Sequence, residues 1–560
     1  MESYPTWPNL ATMMLDLAQK WPRKSLLRAF RDNAWFSITW AEYSRMTASC
    51  ARHLRAQGVA PGDRVVICAE NRPDYLIAEV ALMAISAIPV PTYTTNTIDD
   101  HAHILRDCGA RAVIATKGTL ADRVRAAGEK VGGLDLLLEI GTEGWDKMLA
   151  DPAPPDDVAA EARQIPPERL ACLIYTSGTG GAPRGVMLPH RSVMSNCRGA
   201  FDLVTTLRLK DEIYLSYLPV SHSYEHTVGH FFFASIGSEI VYARGVEHLA
   251  ADMQTIRPTI LTAVPRVLEV IKGRILTQVA RQKPWKQRLF NMALRIGDKR
   301  QDEVALSLAE RLMDPILDRL VRAKVCDRFG GRLVGAVSGG ARLEPDVGRF
   351  FLSLGLLLMQ GYGQTEAGPV ISATRPESIK IDTVGPPLRG VELRIAEDGE
   401  ILVRGDLVMD GYWGRPEETA AALQSGWLHT GDIGTIDGRG NLRITDRKKD
   451  IIVLAGGENV SPAKIEGMLM AEAEIAQAVV AGDGRSGLTA LLVPAEGHDD
   501  VSVAMALSRA NHRLSVTERI RRHAIVAPFT VENGLLTPTQ KIRRMLVIRA
   551  NADVLTKLHG

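Results

Sequence analysis

Residues 175–192 read YTSGTGGAPRGVMLPHRS, a composition suited to wrapping backbone around a polyphosphate. Thr176, Ser177 and Thr179 supply hydroxyls, and Gly178, Gly180, Gly181 and Gly185 supply conformational room. Glycine permits positive φ and close approach, so successive N–H groups can converge on an anion. Arg184 adds a fixed positive charge at the end of the run. The apolar run 170–174 just ahead reads as a buried strand. The spacing is not that of a Walker A loop. The bland alternative is a glycine-rich turn between two strands.

Three further loops suit a nucleotide site. SGGARL, residues 338–343, follows an apolar run ending at Val337. Small residues at a strand's carboxyl end, here Gly339, Gly340 and Ala341, let a flat ring or a phosphate reach the backbone. QGYGQTEAG, residues 360–368, crowds Gly361, Tyr362, Gly363, Thr365 and Glu366 into one loop. Tyr362 offers an aromatic face to a base, and Glu366 a hard oxygen ligand for Mg²⁺. GWLHTGDIG, residues 426–434, puts Asp432 directly after Gly431, where a carboxylate can accept two hydrogen bonds from ribose hydroxyls.

These loops need a scaffold, and the pattern around them is α/β. Runs at 64–68, 111–115, 170–174, 259–264 and 332–337 read as buried strands, and 40–57 and 75–87 as helices. The alternation predicts parallel sheets. The acidic, proline-rich run 151–167 reads as a surface loop. DDHAH at 99–103 reads as a polar helix start, with Asp99 or Asp100 as N-cap. Residues 267–329 are mostly helical in pattern and include RQKPWKQRLF at 281–290. That basic piece suits an anionic membrane surface; a solvated helix face is the commoner meaning. After Leu388 short strands and turns take over. A boundary near 447–450 leaves a large domain, 1–447, and a smaller one, 448–560, long enough for its own α/β fold.

Composition sets outer bounds. The chain has 560 residues, too many for one core, and its net charge of +2 is spread out, which excludes a nucleic-acid stripe. Cys50, Cys68, Cys108, Cys172, Cys197 and Cys326 form no C-x-x-C pair and read as reduced thiols of a cytoplasmic protein. The start of the chain lacks a basic n-region, so no signal peptide is expected. No apolar segment reaches the ~18 residues of a membrane span.

Taken in order, the motifs resemble the acyl-adenylate-forming family of acyl-CoA synthetases, luciferases and peptide-synthetase adenylation domains. YTSGTGGAPRGV resembles the family's phosphate loop, YTSGTTGxPKGV. QGYGQTEAG, HTGDIGTIDGRGNLRITDRKKD and LLTPTQK resemble its later motifs, and the likeness covers nearly the whole chain. PVPTYTTNT, YLPVSHSYEHTVGH, the helical insert and TVGPPLRGVELRI resemble the long-chain fatty acyl-CoA synthetase branch. Two departures stand out: Gly180 replaces a usual Thr, losing a hydroxyl, and Arg184 replaces a usual Lys, exchanging a compact ammonium for a planar fork.

The resemblance implies a large N-terminal domain of layered αβ sheets with a small mobile C-terminal α/β domain. It implies ATP, Mg²⁺ and coenzyme A, and two steps. A fatty acid carboxylate attacks the α-phosphorus to give acyl-AMP and pyrophosphate; coenzyme A thiolate then displaces AMP. Lys541 would bridge carboxylate and α-phosphate, Mg²⁺ would sit on Glu366 with Thr176, and Arg447 would hold the ribose beside Asp432. His222 would stand at a gate beside the acyl and nucleotide pockets. Rotation about Lys449 would replace Lys541 with a channel for coenzyme A lined by Gly456, Gly457 and Glu458. Expected partners are the acid and coenzyme A, with a membrane surface or a second copy of the chain as further candidates.

Other readings stay open. HSYEH at 222–226 fits an inverted zinc-protease signature, with His230 continuing an i, i+4 series on one helix face, but short matches of this kind are often false. A nucleotide-binding relative without turnover and a stand-alone loader of a carrier protein are the functional alternatives. Apolar residues at 231–233 suit tunnel walls and ordinary core equally.

Overall fold

The computed structural model describes residues 4–176, 182–207, 212–537 and 541–559. Its largest sheet has eight strands, in the order Val370–Ala373, Leu358–Gly363, Gly335–Ser338, Ile260–Ala263, Ile213–Ser216, Glu239–Tyr242, Ser25–Arg31 and Ala34–Thr39. The six inner strands run parallel, and an antiparallel strand closes each edge. A second, wholly parallel sheet joins Ile88–Pro91, Arg64–Cys68, Ala112–Thr116 and Leu136–Ile140. Strands covered on both faces need continuous apolar runs, and RVVIC at Arg64–Cys68 is buried from its second residue on. The helix Pro73–Ala84 is apolar nearly all round and accordingly buried, Glu79 included.

The phosphate-loop strand belongs to neither parallel sheet. Leu170–Thr176 pairs antiparallel with Arg184–Pro189, which pairs in turn with Gly411–Tyr412. The loop thus connects two strands of a hairpin, as the bland alternative has it, and that topology is compatible with anion binding. Ser177, Gly178, Thr179, Gly180 and Gly181, expected at its centre, lie outside the described residues.

Four expectations need correction. Residues 360–363, read as loop, end the strand Leu358–Gly363, and residues 427–434, also read as loop, lie within the strand Trp427–Ile436, which carries Asp432. The run 151–167 is not all loop: Asp156–Ala162 is a helix, with Val158, Ala159 and Ala162 buried. Its end is fixed by Asn9, whose side-chain amide donates to the carbonyls of Ala162 and Ile165. The helix Ile98–Cys108 is capped by Thr97 rather than by Asp99 or Asp100. Asp100 sits at N3 and returns the hydrogen bond to Thr97, completing a capping box.

The insert forms helices Pro265–Ala280, Pro284–Gln301 and Leu308–Leu317. The basic helix Pro284–Gln301 buries Phe290, Ala293, Ile296 and Gly297 and leaves Trp285 exposed. A Cβ at Gly297 would lie 2.4 Å from the Ser353 backbone, so glycine permits that close helix packing.

Beyond Asp450 the chain builds separate cores. The three-stranded sheet Ile475–Ala481, Leu488–Pro494 and Ile520–Ile525 packs helices Pro462–Met470 and Asp500–His512 through Ile465, Leu469, Val503 and Leu507. A smaller cluster joins Val479, Leu491, Phe529, Val547 and Leu555. Every residue of both clusters lies after Asp450.

Candidate active site

A cleft of about 2210 Å³ opens at the carboxyl ends of the inner strands and is roofed by residues after Arg447. Open α/β sheets place ligands at those ends. Each described residue expected at the nucleotide or the reaction lines it: Thr176, Arg184, His222, Gly339, Gly340, Ala341, Gly361, Tyr362, Gly363, Thr365, Glu366, Asp432, Arg447, Lys449 and Lys541. Gly456, Gly457 and Glu458 do not. They form the exposed turn between strands Ile452–Val453 and Asn459–Val460, away from the cleft wall.

Local sterics explain why small residues line the floor. A Cβ at Gly363 would lie 1.8 Å from the Pro369 carbonyl oxygen, and one at Gly339 would lie 3.1 Å from the Tyr224 ring. That ring is held by its hydroxyl, which donates to the Val337 carbonyl at 3.1 Å. Ser223 and Thr365 join their hydroxyls at 2.9 Å, tying the segment after His222 to the Glu366 loop.

The polar groups form a connected set. Tyr362 donates to Asp432 Oδ2 at 2.7 Å, and Arg447 Nε lies 3.1 Å from Asp432 Oδ1. Burial works against the charge of Arg447, but Asp432 and its neighbours hold its pKa above the ordinary value. Tyr412 donates to Glu366 Oε1 at 2.8 Å. Thr176 and Glu366 present a hydroxyl and a carboxylate to one cleft, both hard oxygen donors. Among the described residues no three His, Cys, Asp or Glu side chains gather as for a tightly held metal. That donor set fits Mg²⁺, which keeps water and substrate phosphates as its remaining ligands.

Lys541 reaches the same cleft from the C-terminal region. Its backbone N–H donates to the Thr537 hydroxyl at 3.0 Å, and its carbonyl accepts from the Thr537 N–H at 2.8 Å. The side chain is open to the cleft's water yet ringed by protein. That surrounding, then the Arg447 charge, lowers its pKa to about 8, against the pull of Asp432 and Glu366. Burial and then the Lys541 charge push His222 down to about 3, so its imidazole is neutral at physiological pH. Its Nδ1 accepts from the Tyr224 N–H at 3.2 Å.

The helical segment after His222 corrects the zinc signature. His222 precedes the helix and its ring meets the Tyr224 N–H, whereas His226 and His230 both face Glu79, so among the described residues the three histidines do not form one metal-binding face. Glu225 instead accepts from Tyr214 and Ser216, both at 2.6 Å, and from Thr262 at 3.3 Å. Gly229 makes room for it, since a Cβ there would lie 2.6 Å from the Glu225 carboxyl. His226 Nε2 lies 2.8 Å from Glu79 Oε1, and His230 accepts or donates at 3.3 Å with Tyr242. Burial opposes charge on both Glu79 and His226, but their attraction prevails, lowering the carboxyl and raising the imidazole. Val228, Phe232 and Phe233 remain for the cleft wall, whereas Phe231 is core.

The chain's similarity to known proteins agrees with this geometry. The AMP-binding enzyme model matches residues 16–413, and the AMP-binding enzyme C-terminal domain model matches 449–559. The chain belongs to the AMP-binding enzyme family. This AMP-binding enzyme is 32% identical to a long-chain-fatty-acid–CoA ligase of Mycobacterium tuberculosis, over 99% of this chain and 97% of the relative. It is 30% identical to the peroxisomal long chain acyl-CoA synthetase 6 of Arabidopsis thaliana, over 94% and 82% of the respective chains. In fold it is similar to ATP-bound MatB from Rhodopseudomonas palustris, with a TM-score of 0.76 and 23% identity over 98% of this chain and 99% of that one. It is also similar to MenE from Bacillus subtilis in complex with AMP, with a TM-score of 0.71 and 21% identity over 95% and 97%.

Two groups lining the AMP-binding enzyme's cleft, and one behind it, went unnoticed in the sequence. Tyr412 and Glu418 flank Arg184 and Glu366, and Asp107 accepts from Tyr175 at 2.7 Å and from Arg415 at 2.8 Å. GYWG at 411–414 carried the one usable signal, an aromatic in a glycine-flanked turn. Asp107 carried none, because nothing in its local pattern points to a loop some 70 residues later.

Proposed function

We propose that this AMP-binding enzyme joins a long-chain fatty acid to coenzyme A, consuming ATP and releasing AMP and pyrophosphate. The observation that carries the reading is the cleft's two-sided character. Its lining holds two sets: Lys541, Arg447, Asp432 and Glu366, whose charges act on one another, and Val204, Val228, Phe232 and Phe233, which pack in one apolar cluster. A carboxylate at the junction faces cations, while its alkyl chain lies against apolar side chains. Its approach to the α-phosphorus brings two anions together, a repulsion that neighbouring positive charge must offset.

Lys541 supplies that charge where carboxylate and α-phosphate meet, and preorganised electrostatics of this kind is the main source of rate. Glu366 and Thr176 would hold Mg²⁺, which would supply positive charge to offset the negative charge of the phosphates. Asp432 and Arg447 position the ribose, and Tyr362 stands beside the base. His222, neutral, forms a gate beside the acyl and nucleotide pockets. For the second step the unit 448–560 turns about Lys449, removing Lys541 and bringing Gly456, Gly457 and Glu458 to the thiol's path. The division into units 1–447 and 448–560 is supported by the separate cores after Asp450. A cytoplasmic location is supported by six free cysteines. Contact with an anionic membrane is supported by Leu308, Leu312 and Ile316, exposed on one helix of the basic insert.

Pyrophosphate release should be measured over carboxylic acids of increasing chain length, with and without coenzyme A, with co-sedimentation on anionic vesicles run alongside. Turnover with long-chain acids and a thioester product made only with coenzyme A are expected. Acid-dependent release with no transfer to coenzyme A would favour a carrier-protein loader; no release with any acid would favour an inert relative. Failure to sediment with anionic vesicles would remove the membrane contact alone.

A further inference from the structure

The residue that closes the phosphate loop is held by groups outside it. Arg184 Nη1 donates to Glu418 Oε2 at 2.7 Å, and its guanidinium carbon lies 4.3 Å above the Tyr412 ring. The hydroxyl of that ring donates to Glu366. Glu418 lies on the short helix Pro416–Ala422, and Arg415 at that helix's start is tied to Asp107, which also holds Tyr175. Both strands of the hairpin are therefore anchored to one neighbourhood before any ligand arrives.

Arg184 and Glu418 both line the cleft, with side chains 29% and 41% exposed. An exposed ion pair adds little to stability. Here its effect falls on binding, because the same fork belongs to the phosphate-loop motif and lines the cleft. An ammonium would lack the planar face that rests on Tyr412 and the paired donors that meet a carboxylate in plane. The Lys-to-Arg departure and the acidic residue opposite thus make one unit in this chain. The Glu418 carboxylate also places negative charge where a polyanion must enter.

Given the nucleotide site proposed above, we infer that Glu418 is a positioning residue that competes with the β- and γ-phosphates of ATP for Arg184. In the free enzyme it parks the guanidinium on Tyr412; on binding it yields the guanidinium to the triphosphate. AMP has no β- or γ-phosphate and does not take part in the exchange. The strength of the Arg184–Glu418 pair thus tunes affinity for ATP relative to AMP, the substrate against the product.

Direct binding of ATP and of AMP, with Mg²⁺ and without acid or coenzyme A, tests this by calorimetry in the wild type, Glu418→Gln, Arg184→Ala and the double variant. Glu418→Gln should tighten ATP about fivefold, the scale of one exposed ion pair, and leave AMP unchanged. The gain should vanish when Arg184→Ala is already present. Unchanged or weaker ATP binding in a folded Glu418→Gln protein would overturn the inference, as would an equal gain for AMP or a gain that persists without Arg184. A wild type that binds neither nucleotide would instead overturn the functional reading on which the inference rests.

Discussion

Lys541 is the residue on which most of the chemistry turns. Its ammonium shares the cleft with Arg447, and its pKa is lowered to about 8 by its surroundings and that neighbour. Its charge is present below that value and lost as pH rises through it. For the free enzyme, kcat/KM for acyl-AMP formation should therefore fall above about pH 8. In Lys541→Arg the alkaline limb should move beyond the measurable range. Lys541→Ala should slow adenylation roughly 10²–10³-fold, the scale of one preorganised donor. It should spare thioester formation from supplied acyl-AMP. Loss of both half-reactions in a folded variant would exclude the assigned role. His222, lowered to about 3, should contribute no acid limb between pH 5 and 7. At this scale the sequence was readable wherever chemistry and backbone freedom coincide, as at Gly339, Gly363, Glu366 and Asp432. It was silent where a residue matters through a distant partner: Glu418 and Asp107 look like ordinary surface acids until folding brings them to the hairpin.

The element with most consequence is the π-helix Glu225–Phe232. Two buried carboxylates strap it on different sides. Glu225 reaches hydroxyls of the large sheet, and Glu79 reaches His226 from the helix Pro73–Ala84. Val228 and Phe232 are thereby fixed against the cleft. Burial raises Glu225 to about 7, its three hydroxyl donors only partly offsetting this. A carboxyl whose folded pKa is raised stabilises the fold fully below its unfolded value of about 4.5, and that contribution fades as pH rises through about 7. Between pH 5 and 8 the wild type should thus lose about 2–3 kcal/mol relative to Glu225→Gln, read from denaturant midpoints at each pH. Parallel pH profiles of the two proteins would show that Glu225 is already ionised throughout. Periodicity could not reveal this helix. An i, i+4 series in a sequence implies an α-helix, and the His226 N–H does meet the His222 carbonyl at 2.9 Å, but the wider winding from Glu225 to Phe232 depends on tertiary anchors. Strands with continuous apolar runs, by contrast, fell where they were read at 64–68, 170–174 and 259–264, because burial leaves a clear pattern, whereas the run 332–337 becomes strand only from Gly335.

For the whole molecule the arrangement is one of two that the proposed cycle requires. Lys541 stands in the cleft, and the turn bearing Gly456, Gly457 and Glu458 stands outside it. Stiffening the connection should separate the half-reactions. Lys449→Pro, by restricting φ at the proposed pivot, should keep adenylation within a fewfold of wild type and lower thioester formation roughly tenfold or more. Equal effects on both steps would place the pivot elsewhere. The alternation of helices and strands already announced an α/β chain, its length announced more than one core, and the change of texture after Leu388 marked the approach to the second. How the two meet was not legible, since no local pattern encodes the contact of surfaces hundreds of residues apart. The apolar clusters beyond Asp450 borrow nothing from those before it. Resistance to heat is consequently two quantities in this chain, and no single melting temperature describes it until a ligand clasped by both parts obliges them to melt as one.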